Sequence, residues 1–140
     1  VLYDTPANVF VAGFIGSPAM NIKTVPLAES GGAFANMLLP LAREQVQAAQ
    51  TDGDGRVTIG FRPEDTRLVG PSDGGLPIVV ELVEDLGAHA NVYGHATLDG
   101  EPERFVATID RKDMPTMGDT VYFKPGNEHH AFHSVSGQRL

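Results

Sequence analysis

Residues 57 to 65 read Val57-Thr58-Ile59-Gly60-Phe61-Arg62-Pro63-Glu64-Asp65. Val57, Ile59 and Phe61 alternate with Thr58, Gly60 and Arg62, so one face is apolar and the other mixed. A period of two is the signature of a strand. Gly60 inside it marks a bulge or a close approach of another chain segment. Pro63 ends the strand, because it has no N–H to donate and holds Arg62 extended. Glu64 and Asp65 follow that fixed turn within reach of Arg62. On these residues alone the stretch is a strand end closed by an ion pair, which contributes little at a surface.

Outward from it, Thr51-Asp52-Gly53-Asp54-Gly55 is a turn leading into the strand. Leu41 to Gln50 has good helix formers and a thin apolar stripe, which predicts a short surface helix. Ala33 to Leu39 predicts one strand. Downstream, Gly70 to Gly75 is a breaker cluster, hence a loop, and Pro77 to Leu86 is a strand with a charged edge. Ala90 to Leu98 and Glu103 to Ile109 flank Asp99-Gly100, the strongest hairpin signal present. Gly118-Asp119 opens a strand over Thr120 to Lys124. At the start, Thr5 suits an N-cap and Pro6 a first helical position. Val9, Phe10, Gly13, Phe14 and Ser17 follow one helical face, and Gly16 with Ser17-Pro18 stops it. Short strands between regular turn signals predict a mainly β fold, a small barrel or sandwich with a short N-terminal helix. No internal repeat is present.

The chain has 140 residues, a formal charge of −8, no cysteine, and only Lys23, Lys112 and Lys124 as lysines. So acidic a surface opposes nucleic-acid binding and adhesion to anionic lipid. Membrane association would therefore run through a protein partner, without insertion. Without cysteine there is no disulfide framework, thiolate zinc site or cysteine nucleophile. The first residue is Val1, not Met, so an excised part of a longer chain is expected.

Catalytic motifs are missing. A phosphate loop needs a Gly-Lys pair so that backbone N–H groups and the ammonium hold the phosphates; none occurs. Asp52-Gly53-Asp54-Gly55 resembles part of a calcium loop, but alignment on Gly55 puts Gln50 and Phe61 where ligating carboxylates belong. His129, His130 and His133 lie close together, with Glu128 beside them. In a loop running into a strand, neighbours point to opposite faces, so a surface cluster is expected. No serine sits in a Gly-x-Ser-x-Gly elbow. The expectation is no catalytic, cofactor or metal residue.

Three blocks carry a resemblance. Pro6, Asn8, Phe10, Val11, Ala12, Phe14, Ile15, Gly16, Ser17, Pro18, Met20 and Asn21 form the first. Gly60-x-Arg62-Pro63-Glu64-Asp65 is the second, and Val83, Glu84, Leu86 and Gly87 the third. Together, in this order, they resemble the C-terminal regulatory domain (TOBE/MOP-like) of ATP-binding-cassette (ABC) import ATPases of the carbohydrate-uptake class. The tail, His130-x-Phe132 and Ser136-Gly137-Gln138-Arg139-Leu140, is similar to that family's closing strands, with His133 where Asp is usual and Ser136 where Thr is usual.

The resemblance implies an oligonucleotide-binding-type (OB-like) barrel with an appended β-rich lobe. It implies that residues 1–22 are the end of an ATPase domain and its hinge, and 23–140 the regulatory domain. Phe10, Phe14, Ile15, Gly16, Ser17, Pro18, Met20 and Asn21 would form the hinge and interaction segment. An apolar run of that kind on a lone domain would be partly exposed and so mark a contact. Further implied are a homodimer, permease subunits reached through the absent ATPase domain, a regulatory protein or small effector, and a peripheral place on the cytoplasmic face of the cell membrane. ATP and magnesium would belong to the intact subunit, not to this part. Two other classes remain open at this point: a stand-alone oxyanion-binding barrel of molybdate type, which the acidic charge opposes, and a histidine-dependent metalloenzyme.

Overall fold

The computed structural model describes residues 19–34, 37–98, 100–126 and 129–140. Residues 4–18, including the predicted N-terminal helix and most of the hinge segment, lie outside the described residues, as does Asp99 of the hairpin. The described chain is mainly β. Ten strands form two five-stranded antiparallel sheets, and the chain divides into two compact units.

The first unit is built from β1 (Asn21–Ala28), β2 (Gly31–Phe34), β3 (Met37–Pro40), β4 (Arg56–Phe61) and β10 (His129–Phe132), in the order β10-β4-β1-β2-β3. The single strand expected over 33–39 is two neighbouring strands, β2 and β3. β4 lies between β1 and β10, with Ile22 and His130 both registered on Gly60. The ladder runs unbroken through that glycine, so Gly60 is a close approach and not a bulge. A Cβ there would sit 2.6 Å from the Met20 Sδ and 3.5 Å from the Phe132 ring.

Both the apolar and the mixed face of β4 are buried. Val57, Ile59 and Phe61 fill one side at 0 to 1 % exposure. On the other, Met20 and Phe132 cover Gly60, and the Thr58 and Thr24 hydroxyls bond at 2.7 Å. The rings of Phe34 and Phe61 meet edge-on at 6.2 Å. The predicted helix is α1 (Arg43–Gln50). It opens with the Ala42 N–H donating to Gln45 Oε1 at 3.0 Å, and its thin stripe, Val46 and Ala49, is buried.

The second unit holds β5 (Thr66–Val69), β6 (Leu76–Asp85), β7 (His89–Leu98), β8 (Glu101–Asp110) and β9 (Thr120–Pro125), in the order β5-β9-β6-β7-β8. The β7–β8 hairpin is regular over ten paired positions. Its turn residue Gly100 has φ +80°, a conformation a glycine adopts without strain. Leu76, Ile78, Ala90, Val92, Phe105, Ala107 and Phe123 form the buried core.

Candidate functional site

The Gly60-to-Asp65 signature is a corner between β4 and β5. Arg62 is extended at φ −77°, ψ 145°, and Pro63 begins a single 3₁₀ turn over Pro63–Asp65. The Arg62 carbonyl accepts from the Asp65 N–H at 3.0 Å and the Thr66 hydroxyl at 2.9 Å. The Asp65 carbonyl accepts from the Gly126 N–H at 2.6 Å. Bonds to the Arg62 and Asp65 carbonyls therefore help to hold this corner. Arg62 is 6 % exposed, so its side chain lies in the interior.

Beyond the corner lies a cleft of about 520 Å³ in the second unit. Glu64, Thr66, Arg67 and Leu68 line one side, and Thr108, Ile109, Asp110 and Asp113 the other. Its volume is within the small-molecule range of about 300–1,000 Å³. Three carboxylates face one guanidinium, a field that disfavours anions. A second cleft, of about 330 Å³, lies in the first unit between α1 and the β1–β2 turn.

The other signature residues are also structural. Glu84 Oε1 accepts from Asn91 Nδ2 at 2.9 Å, and Asn91 Oδ1 accepts from the Thr108 hydroxyl at 2.7 Å. These three side chains share one rung across β6, β7 and β8. Gly87 has φ +96° in the β6–β7 turn. Its N–H donates to Asp85 Oδ1 at 2.9 Å, and Arg111 Nε reaches both Asp85 oxygens at 3.1 Å. The Gly87 N–H first, and Arg111 second, hold the Asp85 carboxyl below its ordinary range.

Of the hinge segment, Met20 and Asn21 are described, and neither is exposed. Met20 is 7 % exposed against Phe132, and Asn21 is 5 % exposed with Nδ2 donating to the Phe61 carbonyl at 3.4 Å. The expected exposed apolar segment therefore does not extend to Met20.

The histidines diverge. His129 Nε2 is 2.7 Å from the Pro40 carbonyl, His130 Nδ1 is 3.0 Å from Arg139 Nη2, and His133 Nδ1 is 3.0 Å from Asp52 Oδ1. Because a guanidinium only donates, His130 Nδ1 accepts.

One constellation was not read from the sequence. Asp52, in the turn before β4, accepts from His133 and from the Ser134 N–H at 3.1 Å, while Asp54 accepts from the Ser134 hydroxyl at 2.7 Å. That hydroxyl, ahead of the Arg56 N–H, keeps the Asp54 carboxyl below its usual range. The turn expected over Thr51 to Gly55 is thus also a clasp on His133 and Ser134. The chain's last residues also pair with β10, through Phe132 and Arg139 and through the Leu140 N–H on the Ala131 carbonyl at 3.0 Å.

A mainly β domain with a β4–β5 corner of this design defines a class. The chain belongs to the TOBE domain family, whose profile matches residues 59–132, and the profile of the MalK OB fold domain matches residues 16–66. Among named relatives, it is similar to the diacetylchitobiose uptake system ATP-binding protein MsiK of Streptomyces coelicolor. They are 39 % identical over 99 % of this chain and 41 % of that protein. It is 37 % identical to the sn-glycerol-3-phosphate import ATP-binding protein UgpC of Paracoccus denitrificans, over 99 % of this chain and 37 % of that protein. The chain thus spans about two fifths of the length of these relatives. The fold is shared with the cytoplasmic molybdate-binding protein ModG, at TM-score 0.54 and 12 % identity over 79 % of this chain and 94 % of that one.

Proposed function

We propose that this chain is the regulatory and dimerisation domain of the ATP-binding subunit of an ABC importer for sugars or related solutes, and that it is non-catalytic by itself. The observation that carries this reading is the alignment of 99 % of the chain with the ATP-binding proteins of two solute importers. The missing Gly-Lys pair supports it, since phosphates would lack their cradle. The intact subunit would bind ATP and magnesium elsewhere, pair about a two-fold axis, and reach membrane permeases through its ATPase part, lying peripherally on the cytoplasmic face. Among the described residues no helix is long and apolar enough to cross a membrane. The hinge segment from Phe10 to Asn21 would connect the two parts. Gly60, Arg62, Pro63, Glu64 and Asp65, with Glu84 and Gly87, would fix the shape of a domain that receives a regulatory protein or small effector.

A phosphate-release assay on the pure 140-residue chain should show no ATP turnover; turnover would overturn the reading. Light scattering over a concentration series should show a dimer, and a monomeric mass throughout would remove the dimerisation part. The fold shared with a molybdate binder suggests a competing oxyanion site. The second unit's cleft opposes it, and calorimetric titration with molybdate should give no heat.

A further inference from the structure

Helix α1 turns one stripe toward the β1–β2 turn. Arg43, Val46, Gln47 and Gln50 stand at the i, i+3, i+4, i+7 spacing of a single helical face. All four line the cleft of about 330 Å³ in the first unit. Glu29 and Ser30 of the turn form its other wall, and Leu41 and Val46 supply its apolar surface. The turn is tied to the helix entry by the Leu41 N–H, which donates to the Ser30 carbonyl at 2.9 Å. A helix face that meets another element is ordinarily apolar, because burial holds it there. Here only Val46, at 6 % exposure, follows that rule, and the other three residues are polar and exposed. Among the described residues, the side chains of Glu29, Arg43, Gln47 and Gln50 hold no hydrogen bond or ion pair. Their donors and acceptors are open to whatever occupies the cleft.

The chemistry of these walls selects the occupant. One carboxylate and one guanidinium leave the cleft without net charge, so Glu29 opposes an anion and Arg43 a cation. Each carboxamide offers two N–H donors and an acceptor oxygen, the guanidinium only donates, and the carboxylate only accepts. A hydroxyl does both. A neutral compound carrying several hydroxyls therefore finds a partner at each polar group, while its carbon skeleton rests on Leu41 and Val46. An apolar ligand would leave those groups unpaired, which is costly. The volume is within the small-molecule range of about 300–1,000 Å³. The second unit's cleft, with three carboxylates and one guanidinium, lacks this balance. Resting on the reading of the chain as a regulatory domain, we propose that the cleft between α1 and the β1–β2 turn binds a neutral polyhydroxyl compound, a sugar or polyol, as an effector. Gln47 and Gln50 are its principal hydrogen-bonding residues.

The test titrates the full-length ATP-binding subunit with maltose and with sorbitol, read by saturation-transfer NMR, which detects weak ligands. The expected result is saturable transfer to at least one of the two. Gln47→Ala with Gln50→Ala should weaken it about tenfold, as for the loss of two hydrogen bonds. Glycerol 3-phosphate, an anion, and spermidine, a cation, should not displace the bound compound. The double substitution should not lower the melting temperature, since both side chains are exposed and alanine favours a helix. No transfer to either compound, transfer indifferent to the double substitution, displacement by the anion or the cation, or a lowered melting temperature would each overturn the proposal. ATP turnover by the same full-length subunit separates the two readings. Turnover without sugar or polyol binding refutes the cleft alone, and absence of turnover refutes the importer reading.

Discussion

Replacing Asp52 with alanine tests whether the last residues of the chain are held by side chains or only by the β10 edge. Asp52 accepts from His133 Nδ1 at 3.0 Å, the Ser134 N–H at 3.1 Å and the Ser134 hydroxyl at 3.4 Å, and its side chain is 12 % exposed. Hydrogen bonds to a charged group contribute about 1.5–3 kcal/mol each. These three share one carboxylate, the longest is weak, and His133 is partly exposed, so they do not sum. The loss expected is about 2–3 kcal/mol, a large part of a domain stability of about 5–15 kcal/mol. The chain has no Trp, and the described tyrosines, Tyr93 and Tyr122, both lie in the second unit. Urea unfolding followed by far-ultraviolet circular dichroism is therefore the assay, with hydrogen exchange of the Leu140 amide as the local readout. Asp54→Ala, at a fully exposed carboxylate, should cost less and leave Leu140 protected. A loss under about 0.5 kcal/mol for Asp52→Ala, within the ordinary range of surface changes, would refute the reasoning. So would equal effects of the two variants.

Gly31→Ala should destabilise by about 1–3 kcal/mol or more, because its Cβ meets Leu39 and Pro40 backbone atoms at 2.8 and 2.9 Å; Gly60→Ala should cost less, since its nearest obstacle is the movable tip of Met20. The urea midpoints order the two. Ile59→Ala, at 0 % exposure in the centre of β4, should cost about 2–5 kcal/mol by the same measurement. Asp85 has a depressed carboxyl, so its contribution to stability is present above the ordinary value of 3.8 and fades as pH falls through the lower folded value. In a carboxyl NMR titration Arg111→Ala should move Asp85 only part of the way back up, because the Gly87 N–H is the larger cause.

The local grammar of the chain was readable where local physics decides. Alternation over 57–61, the Pro63 stop, the Asp99-Gly100 hairpin signal, the breaker cluster at 70–75 and Gly118-Asp119 each bound an element by short-range sterics and turn chemistry, and strands β4, β6, β7, β8 and β9 follow from them, whereas β5 was not read. The run over 33–39 was read as one strand, and β2 and β3 are two. At Gly60 a bulge or a close approach was expected, and it is the close approach, made by Met20 and Phe132. The split of the strand and the identity of these partners depend on residues distant in sequence, which alternation along one strand does not encode. The same holds for Asp52. A Gly-Asp-Gly run reads as a turn or a poor metal loop, and its bonds to His133 and Ser134 exist only because β10 returns beside β4.

Leu82 shows the reach of this limit. By its own strand it belongs to the buried row, and nothing in Pro77 to Leu86 distinguishes it from Val80. The register shift between Val80 and Leu82 that turns it outward is held by Gly118, whose φ of +91° lets the turn before β9 place its N–H on the Val80 carbonyl. A residue with a side chain would hold that φ only under strain. The exposure of Leu82 therefore depends on a glycine in another loop. Substituting Gly118 should loosen the Val80 bulge and lower the exposure of Leu82 without touching it, and unchanged amide protection at Val80 and Gly118 would refute this dependence.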